Sequence, residues 1–208
     1  MVIDIQEILT ILRAEFPNPV SDLDFTNPYE VLIAVTLSAQ TTDAMVNKVT
    51  PALFEKYPTP FELALADPKD IEPMINRIGL YRNKSKFIVD AAKTLVEEFD
   101  GVIPKTRKQL MTLSGVGRKT ANVVLAIGYD IPAIAVDTHV NRVAKGLKMA
   151  KADDSVLKVE EKLMRKIPRE DWAEAHHLLL LFGRYVATAS NKNDYYDLLQ
   201  GLKEKHKL

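Results

Sequence analysis

Cysteine is absent from the 208 residues. That excludes disulfides, thiolate nucleophiles and thiolate-bound metal, although it does not by itself fix the compartment. A net charge is absent too. Lys plus Arg is 28 and Asp plus Glu is 28, so the chain as a whole lacks the basic surplus of an all-over nucleic-acid binder. Tryptophan occurs once and glycine only 8 times. No apolar run reaches the roughly 20 residues of a membrane-spanning helix, and no charged-then-apolar leader follows Met1. The expectation is an intracellular, cytoplasmic protein with no membrane partner. No strand pattern and no low-complexity segment stands out.

What is present is helical periodicity, punctuated by caps and prolines. Ile3 to Phe16 carries Ile5, Ile8, Leu9, Leu12 and Phe16 on one face. Asn27-Pro28 starts a helix to about Ser38, and Thr42 or Asp43 caps the next, which Pro51 is expected to kink or divide. Thr59-Pro60 and Asp67-Pro68 each open a short helix. A long one runs from Asn83 or Ser85 to Phe99, closed by Asp100-Gly101. Asp137 stands at an N-cap position before Thr138 to Leu147. Ser155 caps a helix ending near Pro168, Asp171 begins an apolar helix through Tyr185, and Asn193 to Lys205 is a last polar run. The fold class expected is all-α, with about ten helices of the usual 8–20 residues.

The chain is organised around Leu113-Ser114-Gly115-Val116-Gly117-Arg118-Lys119-Thr120-Ala121. A helical run, Thr106 to Thr112, leads in, and Lys119 to Ile127 leads out. Glycine at both turn positions permits positive φ and close approach of the main chain to a ligand. A turn that opens a helix aims N–H groups outward beside the positive end of the helix dipole, which suits a phosphate. Charge is distributed to match. Met1 to Gln40 holds one cation, Arg13, against six acids, whereas Arg77 to Lys119 holds ten cations against four acids. A basic face around the hairpin is the expectation.

These residues resemble the helix-hairpin-helix of the DNA glycosylases related to endonuclease III. The resemblance spans nearly the whole chain. It includes Leu37-Ser38-Ala39-Gln40-Thr41-Thr42-Asp43, Ile78-Gly79-Leu80-Tyr81, the hairpin through Val124, Ala135 to Val143, and His176-His177 with Gly183-Arg184-Tyr185. It implies a two-lobed fold: a continuous lobe over 21–131 with the hairpin at about 105–128, and a terminal lobe from 1–20 plus 132–208. Double-stranded DNA carrying a damaged base or an abasic site is then the expected partner, bound in the cleft between lobes. A monomer is expected, associated with the nucleoid.

The chemistry needs one amine and one carboxylate. Losing a base leaves an oxocarbenium-like sugar that a carboxylate stabilises. A lysine amine can attack C1′ and hold the sugar as a Schiff base. The resemblance assigns these catalytic roles to Lys119 and Asp137. The positive end of the helix dipole and neighbouring Arg118 both disfavour an ammonium at Lys119, and partial burial is expected to act the same way. Relatives that only remove bases lack this lysine, so the expectation is a bifunctional glycosylase and AP lyase acting on oxidised or ring-saturated pyrimidines. The target base must be flipped out. The resemblance makes Gln40 the residue that fills the vacated stack and Leu80 the wedge that parts the strand. Periodicity alone reads Leu80 equally well as core, and Gln40 as a solvated helix end. Gly115, Val116, Gly117 and Arg118 are the expected phosphate contacts. By resemblance, the main-chain carbonyls of Met111, Leu113 and Val116 bind K+ or Na+. No other cofactor is expected.

His176 and His177 point about 100° apart on a helix and read as structural, as does Trp172. The family's four iron–sulfur cysteines would fall at Ala187, Asp194, Asp197 and Lys203, so no cluster is expected. Tyr195, Tyr196, Leu198, Leu199 and Leu202 are expected to pack the last helix in place of the metal. The alternatives are a non-catalytic DNA-structure-binding hairpin protein, an enzyme acting only on abasic sites, and a metal-dependent nuclease. The last needs clustered acids, which are not found near the hairpin.

Overall fold

Side-chain caps set where most helices of the chain begin. In the computed structural model, which describes residues 4–208, Asn27 accepts from Glu30 N–H at 3.0 Å ahead of Pro28. Thr42 accepts from Met45 N–H at 3.3 Å. Thr59 and Glu62 form a reciprocal capping box, and Asp67, Thr106, Ser155 and Asp194 accept in the same way. Each such cap stabilises its helix by about 1 kcal/mol. The expected start of the first helix at Ile3 lies outside the described residues.

The helices in order are α1 (Ile5–Glu15), α2 (Pro28–Leu37), α3 (Asp43–Lys56), α4 (Pro60–Ala64), α5 (Pro68–Ile71), α6 (Tyr81–Phe99), α7 (Arg107–Leu110), α8 (Arg118–Tyr129), α9 (Thr138–Gly146), α10 (Val156–Lys166), α11 (Trp172–Leu181) and α12 (Tyr195–His206). A 3₁₀ turn, Arg169–Asp171, precedes α11 and a π-helical turn, Phe182–Val186, follows it. No strand occurs among the described residues, so the chain is all-α.

Three expectations need correcting. Helices α4, α5 and α7 are 5, 4 and 4 residues long, shorter than 8–20. Each survives because it buries an apolar anchor, Leu63, Ile71 or Leu110. Pro51 does not divide α3, which runs through it. Pro51 is exposed while Val46, Val49, Thr50 and Leu53 are buried, so packing holds the helix on both sides of the missing N–H. Helix α6 starts at Tyr81 rather than Asn83 or Ser85, because Leu80 takes the cap position with φ 59°. Asp171 stands at the N-cap of α11, where the helix is expected to begin, with no side-chain cap bond; its carboxylate accepts from Arg13 Nη2 at 3.2 Å.

The chain divides into two compact units, Asp22–Ile131 and Met1–Ser21 with Pro132–Leu208. In the first, α2 is buried along nearly its whole length and packs on α8, α3 and α6. That explains a helix apolar on every side. Helix α6 packs on α4 and α5. In the second, α1, α9, α10, α11 and α12 share one core built from Ile8, Leu12, Val140, Val143, Leu163, Leu178, Phe182 and Leu199. Truncating Leu12 to alanine there would cost about 2–5 kcal/mol.

Helix α12 is held without metal ligands. Leu199 and Leu202 enter that core, with Tyr195, Tyr196 and Leu198 packed against it, as expected. Arg142 donates to the carbonyl oxygens of Ala187 and Gly183 and to Tyr195 Oη. Tyr196 Oη donates to Leu147 O at 2.7 Å. Lys203 Nζ meets Glu7 at 2.6 Å, and Lys205 and His206 both reach Glu15 at 2.7 Å. Of the four positions where cluster cysteines would fall, Ala187 is fully buried, Asp194 caps α12 and Lys203 is ion-paired. With no thiolate among them the residues do not fit an iron–sulfur cluster.

Candidate functional site

Three buried side chains anchor the α7–α8 hairpin from within. Leu110, Leu113 and Val116 are inward, and Val116 N–H donates to Leu113 O at 3.1 Å. The turn between them needs glycine at one position and not the other. Gly115 has φ +75°, and a Cβ there would lie 2.9 Å from Phe87 Cβ. Both backbone and space exclude a side chain. Gly117 has φ −87° and ψ 177°, an extended conformation open to any residue. The positive φ that glycine permits at both positions is therefore used at Gly115 and not at Gly117. A Cβ on Gly117 would meet nothing within 4 Å, so nothing inside the protein requires its absence. As the N-cap of α8, Gly117 leaves the first-turn N–H groups without a side-chain acceptor. They stay available to an external anion.

Lys119 stands in that first turn and is exposed. It makes no hydrogen bond or ion pair among the described residues. The expected partial burial does not occur, because α8 turns Ala121 and Val123–Ala126 toward the core and leaves position 119 outward. Arg118 is half-buried beside it. Of the ten cations between Arg77 and Lys119, all but Lys84 lie at least partly at the surface.

Asp137 caps α9. One carboxylate oxygen, Oδ1, accepts from Val140 N–H at 2.8 Å. The segment before it, Ala133 to Val136, is buried, so the aspartate is fixed on both sides. It is half-exposed, and its second oxygen has no protein partner among the described residues. A rigid carboxylate with one free oxygen can stabilise a nearby positive charge.

Gln40 and Leu80 stand on two turns of unusual backbone, with φ 56° and φ 59°. A left-handed conformation costs a non-glycine residue about 1–2 kcal/mol. Both are exposed, Leu80 at 59%, which rules out the reading of Leu80 as core. The turns back onto each other: a Cβ on Gly79 would sit 3.5 Å from Gln40 O. With Thr36, Ala39, Asn83, Lys84, Phe87 and Gly115 they line a cavity of about 160 Å³.

Lys84 is a member of this group that sequence reasoning missed. It is 3% exposed. Its ammonium donates to Leu37 O at 2.9 Å, Ala39 O at 2.5 Å and Thr41 Oγ1 at 3.1 Å. Burial pushes its pKa down from the ordinary lysine value. A signal was present: Lys84, Ile88, Ala91 and Leu95 fall at helical spacing on the buried face of α6.

His176 and His177 are buried, with rings 4.9 Å apart at 61°. Trp172 Nε1 donates to Ile167 O at 3.0 Å. Both observations fit structural roles. Among the described residues no group of three His, Asp or Glu is placed to hold a metal.

Comparison with known proteins places this geometry in a family. The HhH-GPD superfamily base excision DNA repair protein profile matches residues 33–169. Endonuclease III of Bacillus subtilis (strain 168) is 49% identical over 176 residues, covering 85% of this chain and 80% of that protein. Endonuclease III of Escherichia coli (strain K12) is 44% identical over 183 residues, covering 88% and 86%. A trapped endonuclease III–DNA covalent intermediate, an estranged-adenine complex, superposes with a TM-score of 0.88 at 45% identity, over 97% of this chain and 96% of the other. A thermostable thymine-DNA glycosylase shares the fold, with a TM-score of 0.75 at 22% identity over 96% of this chain and 91% of the other. The chain belongs to the HhH-GPD superfamily of base excision DNA repair proteins, as a member of its endonuclease III branch.

Proposed function

We propose that the protein is a bifunctional DNA glycosylase and AP lyase, with Lys119 as nucleophile and Asp137 as its carboxylate. The observation that carries this reading is an exposed, unpartnered amine one residue into a helix whose N-cap is a bare glycine. The free amine of Lys119 attacks C1′ of an extruded nucleotide. The C1′–N bond breaks and its electron pair leaves with the base. Asp137 offsets the positive charge that develops on the sugar. The attached nitrogen gives a proton to water, its lone pair opens the ring at C1′–O4′, and O4′ takes up a proton from water, leaving a protonated imine between C1′ and Nζ. The imine acidifies the C2′ proton; its loss expels the 3′ phosphate by β-elimination, which nicks the strand.

The α8 N–H groups, Gly115, Val116, Gly117 and Arg118 would grip the phosphates, while Gln40 and Leu80 fill the gap left by the base. Met111 closes α7 as its C-cap, where carbonyls lack helical partners. Its oxygen, with those of Leu113 and Val116, suits a hard monovalent cation such as K+ or Na+. The substrates proposed are oxidised pyrimidines in double-stranded DNA, processed by a monomer in the cytoplasm, on the nucleoid.

The test is borohydride trapping on abasic-site DNA. Wild type should form a covalent adduct that Lys119→Ala abolishes. Binding without an adduct would instead favour a non-catalytic hairpin protein. Trapping without release of an oxidised pyrimidine would favour an enzyme confined to abasic sites. Binding should also weaken steeply with salt, because the grip is on phosphate.

A further inference from the structure

Lys84 has no place in the chemistry above, yet its setting is costly. Among the described residues no other lysine or arginine is buried. A buried ammonium needs compensation, and here no carboxylate supplies it. Its three N–H donors are matched by two main-chain carbonyls and one hydroxyl. Two of these acceptors, Ala39 O and Thr41 Oγ1, flank Gln40. The third, Leu37 O, belongs to the open C-terminal end of α2, where a cation is favourable. The main chain of the same residue points the other way: Lys84 N–H donates to Leu80 O at 3.0 Å. One residue thus holds both left-handed turns, one with its side chain and one with its backbone. Neither turn contributes a buried apolar side chain to the core at its tip, since Gln40 and Leu80 are exposed. What Lys84 secures is the placement of two outward side chains.

We infer that Lys84 is a positioning residue for base extrusion, fixing the separation of the Gln40 and Leu80 turns so that both side chains are preset for the gap in the duplex. This rests on the glycosylase reading above and sharpens it. A flexible pair of turns would have to be ordered by the DNA, and that ordering would weaken the extruded state. A preset pair spends none of the binding interaction on it.

The experiment separates extrusion from chemistry. Lys84→Met keeps length and removes the ammonium. Excision of an oxidised pyrimidine from duplex should fall roughly tenfold to a hundredfold, the scale set by ångström-level misplacement. Borohydride trapping on a single-stranded abasic oligonucleotide, which needs no extrusion, should stay within about twofold of wild type. Fluorescence of 2-aminopurine beside the lesion should rise less on binding than with wild type, whereas Lys119→Ala should leave that rise intact. Parallel loss of excision and single-strand trapping would overturn the proposal in favour of a general structural role, and so would no loss of either. Should Lys84→Met fail to fold, Thr41→Val removes one acceptor at constant shape. It should show the same split more weakly, and its absence would overturn the proposal equally. Wild type that fails to trap would sink the Lys119 reading while leaving the fluorescence arm to decide on Lys84.

Discussion

The hairpin turn at Gly115 and the turns at Gln40 and Leu80 reach the same left-handed backbone by opposite means. At the hairpin, composition does it: Gly115 has no side chain, and Phe87 fills the space one would take. At Gln40 and Leu80 the conformation is imposed on residues that resist it, through hydrogen bonds from Lys84. The difference follows the surroundings. Where a neighbouring ring already fills the space, a residue with no side chain fits and takes the left-handed backbone without strain. Where a side chain must project from a tight turn, glycine is useless and strain is accepted instead.

Substitutions can break this contrast in order of severity. Lys119→Ala should abolish trapping and nicking while leaving the melting temperature unchanged, since the side chain is exposed. Asp137→Asn should lower excision roughly 10²- to 10⁴-fold with stability nearly intact, because asparagine caps a helix about as well. Loss of stability equal to that of Asp137→Ala would show that capping is the residue's whole role. Gly115→Ala should destabilise the chain by about 1–3 kcal/mol, read by urea unfolding. Gly117→Ala should change stability by no more than about 0.5–1 kcal/mol, since it meets open space. It should nevertheless weaken DNA binding, measured by anisotropy. If both glycine variants behave alike in both assays, the distinction between an inward-required and an outward-required glycine fails.

The smallest effect concerns acid. Glu15 lies below the ordinary glutamate value of 4.5, held there chiefly by Lys205 and then by His206. A carboxylate depressed on folding contributes stability above its unfolded pKa and loses it as pH falls through the folded one. Acid should therefore weaken the α1–α12 contact below about pH 4.5. Glu15→Gln should flatten that part of a melting-temperature-against-pH curve by an amount worth about 0.5–1 kcal/mol.

The caps, the hairpin and the boundaries near Asn27, Thr42, Asp137 and Ser155 were readable because each is a local matter of one side chain and the backbone three residues on. Lys84 was readable only as a position on the buried face of α6; what its ammonium binds was not, for a physical reason. A lysine counts as surface charge until something shows that its ammonium has three acceptors, and those acceptors lie more than forty residues away in sequence. The continuity of α3 through Pro51 likewise depends on what packs beneath it. The π-helical turn at Phe182–Val186 is tied to Arg142 through Gly183 O, a contact that no local periodicity encodes. Gly117 marks the limit of composition: the glycine is legible in the sequence, but only the fold shows that its backbone is extended rather than left-handed.

The fastening of α12 by Arg142, two tyrosines and ion pairs has a consequence for how the protein is made and kept. Peroxide has no sulfur ligand there to attack, and no assembly machinery has to visit the chain before its tail locks down. Purified under air or in the presence of an iron chelator, it should melt at the same temperature as when prepared anaerobically.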